Sequence, residues 1–304
     1  MTWFAFTIIS PILNALVNYI DKYLIEKVVE GRGIGSLIIF SALMGLPVAL
    51  FILLFGPNVF SIHPKNAFLI MLNGSFYVAW VLPYLYALQK DEASVVAPLF
   101  QLSSVMAFAL GFVILGEGIS TPQILGCLLI LLGATGLSLE RGLKGFKVKY
   151  GVLVLISISC LFIALSGVIF KFIALEESFW VTSFWESLGI FLSSLILLTI
   201  KSYRYQFLHV LHKNRSKIIA LNVVNETVVI VAKVTLNFAT MLAPVAVVYF
   251  VAEGFQPFFV LAYGVLLSIF FPKLVNEKLE QSKILQKLLA ICVMFAGTYL
   301  ISFY

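Results

Sequence analysis

From Thr2 to Tyr304 the chain runs through one apolar stretch after another, each about twenty residues long and parted by short charged or Pro/Gly-containing breaks. A hydrocarbon layer of ~30 Å takes ~20 helical residues to cross. No water reaches backbone N–H and C=O groups at that depth, so an open-ended segment has to close its hydrogen bonds within itself, and only a helix does so. The pattern therefore requires a bundle of transmembrane helices, and function has to be sought inside it. With 11% charged residues, against about 25% in an ordinary soluble domain, the chain has no room for a sizeable water-exposed domain.

Apolar windows and breakers predict helices over Trp3 to Leu24, Ile34 to Phe55, Ala67 to Leu88, Ser94 to Leu115, Pro122 to Leu139, Tyr150 to Phe172, Phe179 to Ile200, Ser216 to Asn237, Pro244 to Phe270 and Lys283 to Ser302. That makes ten spans of an all-α integral membrane protein. The longest polar break, Lys201 to Lys217, is short enough for the whole to form one membrane domain. The first segment lacks a basic leader and carries Asn14, Asn18 and Asp21, so it reads as a retained helix rather than a cleaved signal peptide. Cys127, Cys160 and Cys292 each sit mid-segment as small packing residues, with neither a disulfide framework nor a metal-ligand spacing.

The net charge of +6 comes from basic residues in the breaks rather than on one amphipathic face, which points to membrane orientation and away from nucleic acid. Counting ten spans, Lys27, Arg32, Lys90, Arg141, Lys144, Lys147, Lys149, Lys201, Arg204, Lys213, Arg215, Lys217, Lys273, Lys278, Lys283 and Lys287 share one side, with Lys65 on the other. The positive-inside rule puts that set in the cytoplasm and both termini outside, as expected in a prokaryotic cytoplasmic (inner) membrane.

Ten spans also divide into two fives. At an offset of 149 residues Ser10 coincides with Ser159, Ala15 with Ala164, Leu16 with Leu165, Lys22 with Lys171 and Asn73 with Asn222. Glu117 and Glu277 each close the fourth helix of their half, and a competing register pairs Asn73 with Asn225. Residues 1–141 and 142–304 are therefore expected to be two five-helix repeats. Because five is odd, the second copy is inverted relative to the first.

The sharpest local signal is the stretch from Ala93 through Pro98, Gln101 and Ser104 to Gly116-Glu117, followed by the break Gly118 to Gln123 and a helix bearing Gly126, Gly133 and Gly136. It closely resembles the C-terminal part of the EamA-type repeat of the drug/metabolite transporter superfamily, in which a small-residue-rich fourth helix ends in Gly-Glu and a glycine-bearing fifth helix follows. Two departures stand out: Ser104 replaces the proline common in the motif, and the second copy has Asn276-Glu277 in place of Gly-Glu with Pro257 displaced. The resemblance implies a small-metabolite transporter without specifying the solute.

Polar residues inside the spans narrow the reading, because an ionised side chain at mid-bilayer costs ~2.5 to 3.5 kcal/mol on insertion scales. Asn222, Glu226, Lys233 and Asn237, spaced by four, seven and four residues, fall within ~60° of one another at ~100° per residue. That stripe is either an interhelical hydrogen-bond seam with an internal ion pair or one wall of a hydrated cavity. Glu226 and Lys233 are ~10 Å apart along the axis, so each needs a partner on another helix, with Glu186 and Glu253 available to Lys233. Asn73, Tyr77, Trp80 and Tyr84 repeat the geometry in aromatic form, although Tyr and Trp also serve as interfacial anchors.

Ser10, Asn14, Asn18 and Asp21 make a third face, with Asp21 close enough to the helix end to reach the interface. Gln101 and Ser104, with Tyr249, Glu253 and Gln256, lie at matching depth. These residues nominate a substrate cavity walled by the first, third, fourth, sixth, eighth and ninth spans, with the fifth and tenth as supports. Glu226 and Glu253 are the candidates for proton coupling. Pro11, Pro47, Pro83, Pro98 and Pro257 fall within spans and suit a bundle that opens at both ends.

Enzyme signatures are absent from the sequence: there is no His-Glu-x-x-His, no Gly-x-Ser-x-Gly and no phosphate loop. His63, His209 and His212 fall in breaks or helix ends, and no metal or cofactor is expected. The favoured function is a secondary transporter moving a small metabolite or drug-like solute by alternating access, driven by an ion gradient or by the solute's own. A non-transporting scaffold or receptor is the rival class, ahead of a membrane enzyme. The expected partners are the solute and the lipid bilayer. A monomer is compatible with the sequence, which sets no oligomeric state.

Overall fold

The computed structural model describes residues 2–25, 33–90, 96–138, 150–213, 215–270 and 281–303. Among them the elements are all helical: α1 (Thr2–Tyr23), α2 (Ile34–Phe55), α3 (Pro64–Lys90), α4 (Gln101–Leu115), α5 (Thr121–Ser138), α6 (Tyr150–Glu177), α7 (Phe179–Thr199), α8 (Lys201–Lys213), α9 (Arg215–Leu242), α10 (Val245–Phe270) and α11 (Gln281–Phe303). Seven of these, α1, α2, α3, α6, α7, α9 and α10, hold stretches long and apolar enough to cross a bilayer. Shorter apolar helices occupy Gln101–Leu115, Thr121–Ala134 and Leu288–Ile301. Leu54, Val113, Leu132 and Ile196 are exposed on the outside of the bundle, the reverse of a water-soluble surface and the arrangement a lipid solvent favours. The chain is an integral, multi-pass membrane protein.

Helix association in lipid lacks the water-driven hydrophobic term and relies on close packing through small residues. Two crossings show this. A methyl group at Gly74 would collide with the backbone carbonyl of Glu186, and one at Gly189 with that of Met71, so α3 and α7 touch backbone to backbone. Where α5 crosses α11, a methyl at Gly126 would lie 2.6 Å from the Gly297 oxygen, and one at Gly297 2.5 Å from the Gly126 oxygen. Around these contacts α1 packs on α9 and α10, α6 on α3 and α4, α2 on α7, and α10 on α4 and α5.

Prolines shape the helices as their chemistry requires. Pro11, Pro83 and Pro257 stand inside α1, α3 and α10. In α2 the chain breaks into two helical pieces at Met44. Pro47 lacks an N–H to offer the Leu43 carbonyl four residues earlier, and its ring crowds that carbonyl.

One sequence expectation needs correction. The stretch Lys201 to Lys217, read as a polar break, contains the helix α8. Its low apolar content hides it from a search for membrane-length windows, yet Gln206 and Phe207 turn inward as an amphipathic face. Gly35 N donates to Gln206 Oε1 at 2.9 Å, and Phe40 meets Phe207 edge-on with centroids 4.9 Å apart. Tyr203 lies against Tyr86, and burial together with that hydroxyl pushes its phenol up to about 12. His209 and His212 are exposed on α8. The expected repeat junction at Arg141 to Lys149, the pair Asn276-Glu277, and Lys27, Arg32, Lys273 and Lys278 lie outside the described residues.

Gly126→Val should overpack the α5–α11 crossing, at a cost of ~1 to 3 kcal/mol or more because the obstructing atoms are backbone. Gly118→Ala should leave stability unchanged, since nothing lies within 4 Å of the added carbon. Thermal unfolding of the detergent-purified variants measures both.

Candidate functional site

The polar stripes predicted for separate spans converge on one cavity of about 140 Å³ enclosed by α1, α2, α3, α6, α9 and α10. Asn14 and Asn18 reach it from α1. Tyr77, Trp80 and Tyr84 reach it from α3, and Asn222, Glu226 and Lys233 from α9. Tyr249, Glu253 and Gln256 complete the wall from α10. A smaller neighbouring cavity of about 50 Å³ shares Ser41, Tyr77, Glu226 and Lys233 and extends toward α7. A site of ~150 Å³ is already enough to take up benzene.

At one end of the site Asp21 Oδ1 accepts from Asn225 Nδ2 at 2.8 Å. The Tyr84 hydroxyl lies 3.1 Å from Asp21 Oδ2 and 2.9 Å from Asn18 Oδ1, and its single proton serves one of them at a time. Asp21, half-buried near the end of α1, is thereby tied into the cavity wall. At the next residue of α9, Glu226 accepts from Ser41 at 2.5 Å and from the Tyr77 hydroxyl at 3.4 Å.

Lys233 chooses Glu186 of the two carboxylates open to it, at 2.9 Å. Its ammonium also lies 5.8 Å from the Tyr77 ring centroid, within cation–π range. The other Glu186 oxygen accepts from Asn73 Nδ2 at 3.1 Å. Glu253 is 8% exposed. Among the described residues it has no hydrogen-bond or ion-pair partner. Tyr77, Trp80, Tyr84 and Phe100 make a continuous aromatic run along the wall, with successive centroids 5.5, 6.1 and 5.5 Å apart.

Asn73 and Gln101 are not among the cavity-lining residues. Asn73 is buried where α3 meets α6 and α7, donating also to the Ser166 carbonyl at 3.2 Å. Gln101 and Ser104 are buried on α4, with Gln101 Nε2 and Ser104 Oγ unpartnered. Sequence reasoning missed Ser41, Asn225 and Ser166 as wall residues. Ser41 and Ser166 are single hydroxyls in apolar helices and carry no spacing signal, whereas Asn225 sits one residue ahead of Glu226 and would have been found by widening the stripe.

A second polar cluster ties the halves together away from the cavity. Gly116 ends α4 in the left-handed region, with φ 65°, where glycine avoids the clash a side chain would make. The turn directs Glu117 at Lys171 of α6, 2.5 Å away, and at the backbone N–H of Val245, 2.8 Å away. Lys171 also donates to the Ala243 carbonyl at 2.9 Å. Because the N-terminal part of α9 meets Asp21 near the end of α1, Ala243 beyond its C-terminal end marks the opposite end of the bundle. At the Asp21 end Lys22 donates to the Leu88 carbonyl at 3.2 Å.

Residues 2–139 match the family model of the EamA-like transporter family. The similarity covers a little under half of the chain. The match is consistent with the resemblance to the drug/metabolite transporter superfamily drawn from the Gly116-Glu117 stretch. An uncharacterized protein of Methanocaldococcus jannaschii is 28% identical over 134 residues, which are 44% of this chain and 97% of that protein. A protein of known crystal structure superposes with a TM-score of 0.65 at 15% identity, over 97% of this chain and 95% of its own, a likeness of fold alone.

Lys171→Met strands the Glu117 carboxylate among apolar neighbours and should cost about 3 kcal/mol, while adding Glu117→Gln should recover much of the loss by removing the unpaired charge. Thermal unfolding of the two single variants and the double variant reads the coupling.

Proposed function

We propose that the protein is a secondary transporter that carries a small solute through the central cavity by alternating access, and that its ten spans form two inverted repeats, residues 1–141 and 142–304. The observation that carries this reading is the cavity itself: a polar, aromatic-walled space deep in a bundle whose outer face is apolar, built from both halves of the chain. A structural seam needs no such space.

The helix pairings support the inverted repeat. α3 on α6 is mirrored by α9 on α1, and α1 on α10 by α6 on α4, while α2 with α7, α4 with α10 and α5 with α11 pair an element with its own counterpart. The two lysines of the 149-residue register behave alike at opposite ends, each donating to a carbonyl at the end of its half's third span, Leu88 or Ala243. In the competing register Asn73 reaches α6 at Ser166 and Asn225 reaches α1 at Asp21, so the two contacts join counterpart helices, although the position matching Ser166 is Asn14 and not Asp21. Two such halves rocking against each other about a fixed site would give alternating access.

The favoured orientation places the basic breaks in the cytoplasm and both termini outside, in a prokaryotic cytoplasmic membrane. Glu226 and Glu253 are the groups at which a proton and a solute would exchange. The reading is that of a transporter rather than an enzyme, and its driving force is an ion gradient or the gradient of the solute.

Solute flux into proteoliposomes is the decisive measurement, and a protein that binds solutes but moves none would be a receptor or scaffold. Trp80→Ala and Tyr84→Ala should weaken solute binding by about tenfold through lost aromatic contact, with the lipid-facing Leu128→Ala as the unaffected control. If flux is proton-coupled, Glu226→Gln or Glu253→Gln should flatten its pH dependence, and flux indifferent to pH and to an imposed proton gradient in the parent protein removes the coupling. In a background lacking the native cysteines, an impermeant thiol reagent added outside should label Thr2→Cys and spare Lys144→Cys. The reverse pattern inverts the topology.

A further inference from the structure

Four carboxylates stand on or against the paired cavities, and three are answered by the protein. Glu186 holds Lys233 and Asn73, while the donors to Asp21 and Glu226 are neutral amide and hydroxyl groups. Glu253 faces the main cavity from α10 with 8% exposure and no partner among the described residues. The lysine of the wall has its charge taken up by Glu186 at 2.9 Å. A molecule entering the cavity therefore meets acidic oxygen atoms without cationic partners and, among the described residues, no uncommitted cation with which to hold an anion.

A buried ionised carboxylate is stable only with a counter-charge or hydrogen-bond donors. Beside these acids runs the face of Tyr77, Trp80 and Tyr84, whose rings attract cations electrostatically and cover apolar bodies. We infer that the ligand of this cavity is a small organic cation, a protonated amine on an apolar or aromatic body, with Glu253 as the partner of its ammonium group and the Tyr77–Trp80–Tyr84 face as the seat of its body. The assignment rests on the transport reading above and gives it a substrate class. Asp21 and Glu226 already hold hydrogen-bond donors of the protein, whereas Glu253 supplies the open contact.

The test uses the full-length protein in detergent and three probes with one phenyl body and different heads: phenethylamine, 2-phenylethanol and 3-phenylpropanoate, titrated calorimetrically. The amine is expected to bind at least about tenfold more tightly than the alcohol or the acid, and Glu253→Gln to remove that margin by weakening the amine far more than the alcohol. Glu253→Asp, which keeps the charge, should keep the amine preference, so a loss in both variants with the alcohol site also gone marks misfolding, and labelling decides: in the parent protein the amine should shield Glu253 from a hydrophobic carbodiimide.

An acid or alcohol that binds as well as the amine, a Glu253→Gln protein with parental amine affinity, no amine binding up to about 10 mM, or no shielding would each overturn the assignment. Flux in proteoliposomes separates this from the transport reading. Amine binding without flux retains the cation site and removes transport, and flux of the uncharged or anionic probe without amine binding does the opposite.

Discussion

A charge carried into hydrocarbon has to be met by another charge, by hydrogen-bond donors or by water, and the layout of this bundle follows from that requirement. Lys233 draws Glu186, which draws Asn73, and the chain of contacts fixes α3, α7 and α9 against one another. The close crossing of α3 and α7 at Gly74 and Gly189 brings Glu186 within reach, so backbone packing and ion pairing specify the same arrangement. At the far end Glu117 and Lys171 do the same for α4, α6 and the turn into α10. The cavity occupies the space between these fixed points.

The fold was legible wherever lipid imposes a simple pattern. The apolar runs marked the spanning helices, and four-seven-four spacing on α9 identified the face that turns inward. Helical periodicity reports which way a side chain points around its own axis. It says little about what stands opposite. Asn73 and Tyr77 share a face of α3, but Asn73 meets the α6–α7 junction while Tyr77 meets open space, a difference set by neighbouring helices. Periodicity put Asp21 on the polar face of α1, but its partner Asn225 stands on α9, 204 residues further on. α8 was missed because its interactions are those of an amphipathic surface helix and its sequence carries too many charges for a span.

The Gly116-Glu117 pair, which drew attention as a family feature, has a physical role in the structure. The glycine supplies a left-handed residue that stops α4, and the acid accepts from Lys171 of the opposite half and from the first turn of α10. Sequence spacing could mark the pair but could not supply its partner, 54 residues further on.

The break in α2 at Met44 has a mechanical meaning. The Met44 N–H is shared between the Phe40 and Ser41 carbonyls, at 3.3 and 3.2 Å, so the two pieces of the helix are joined by a divided hydrogen bond rather than a continuous ladder. The leading piece carries Ser41, in contact with Glu226, and the trailing piece is pressed onto α7 at Gly45, where a methyl group would strike the Ser187 carbonyl. The helix therefore carries its weakest internal joint between two side contacts, Ser41 on Glu226 and Gly45 on α7, while its N-terminal piece is docked on α8 through Gly35 and Phe40.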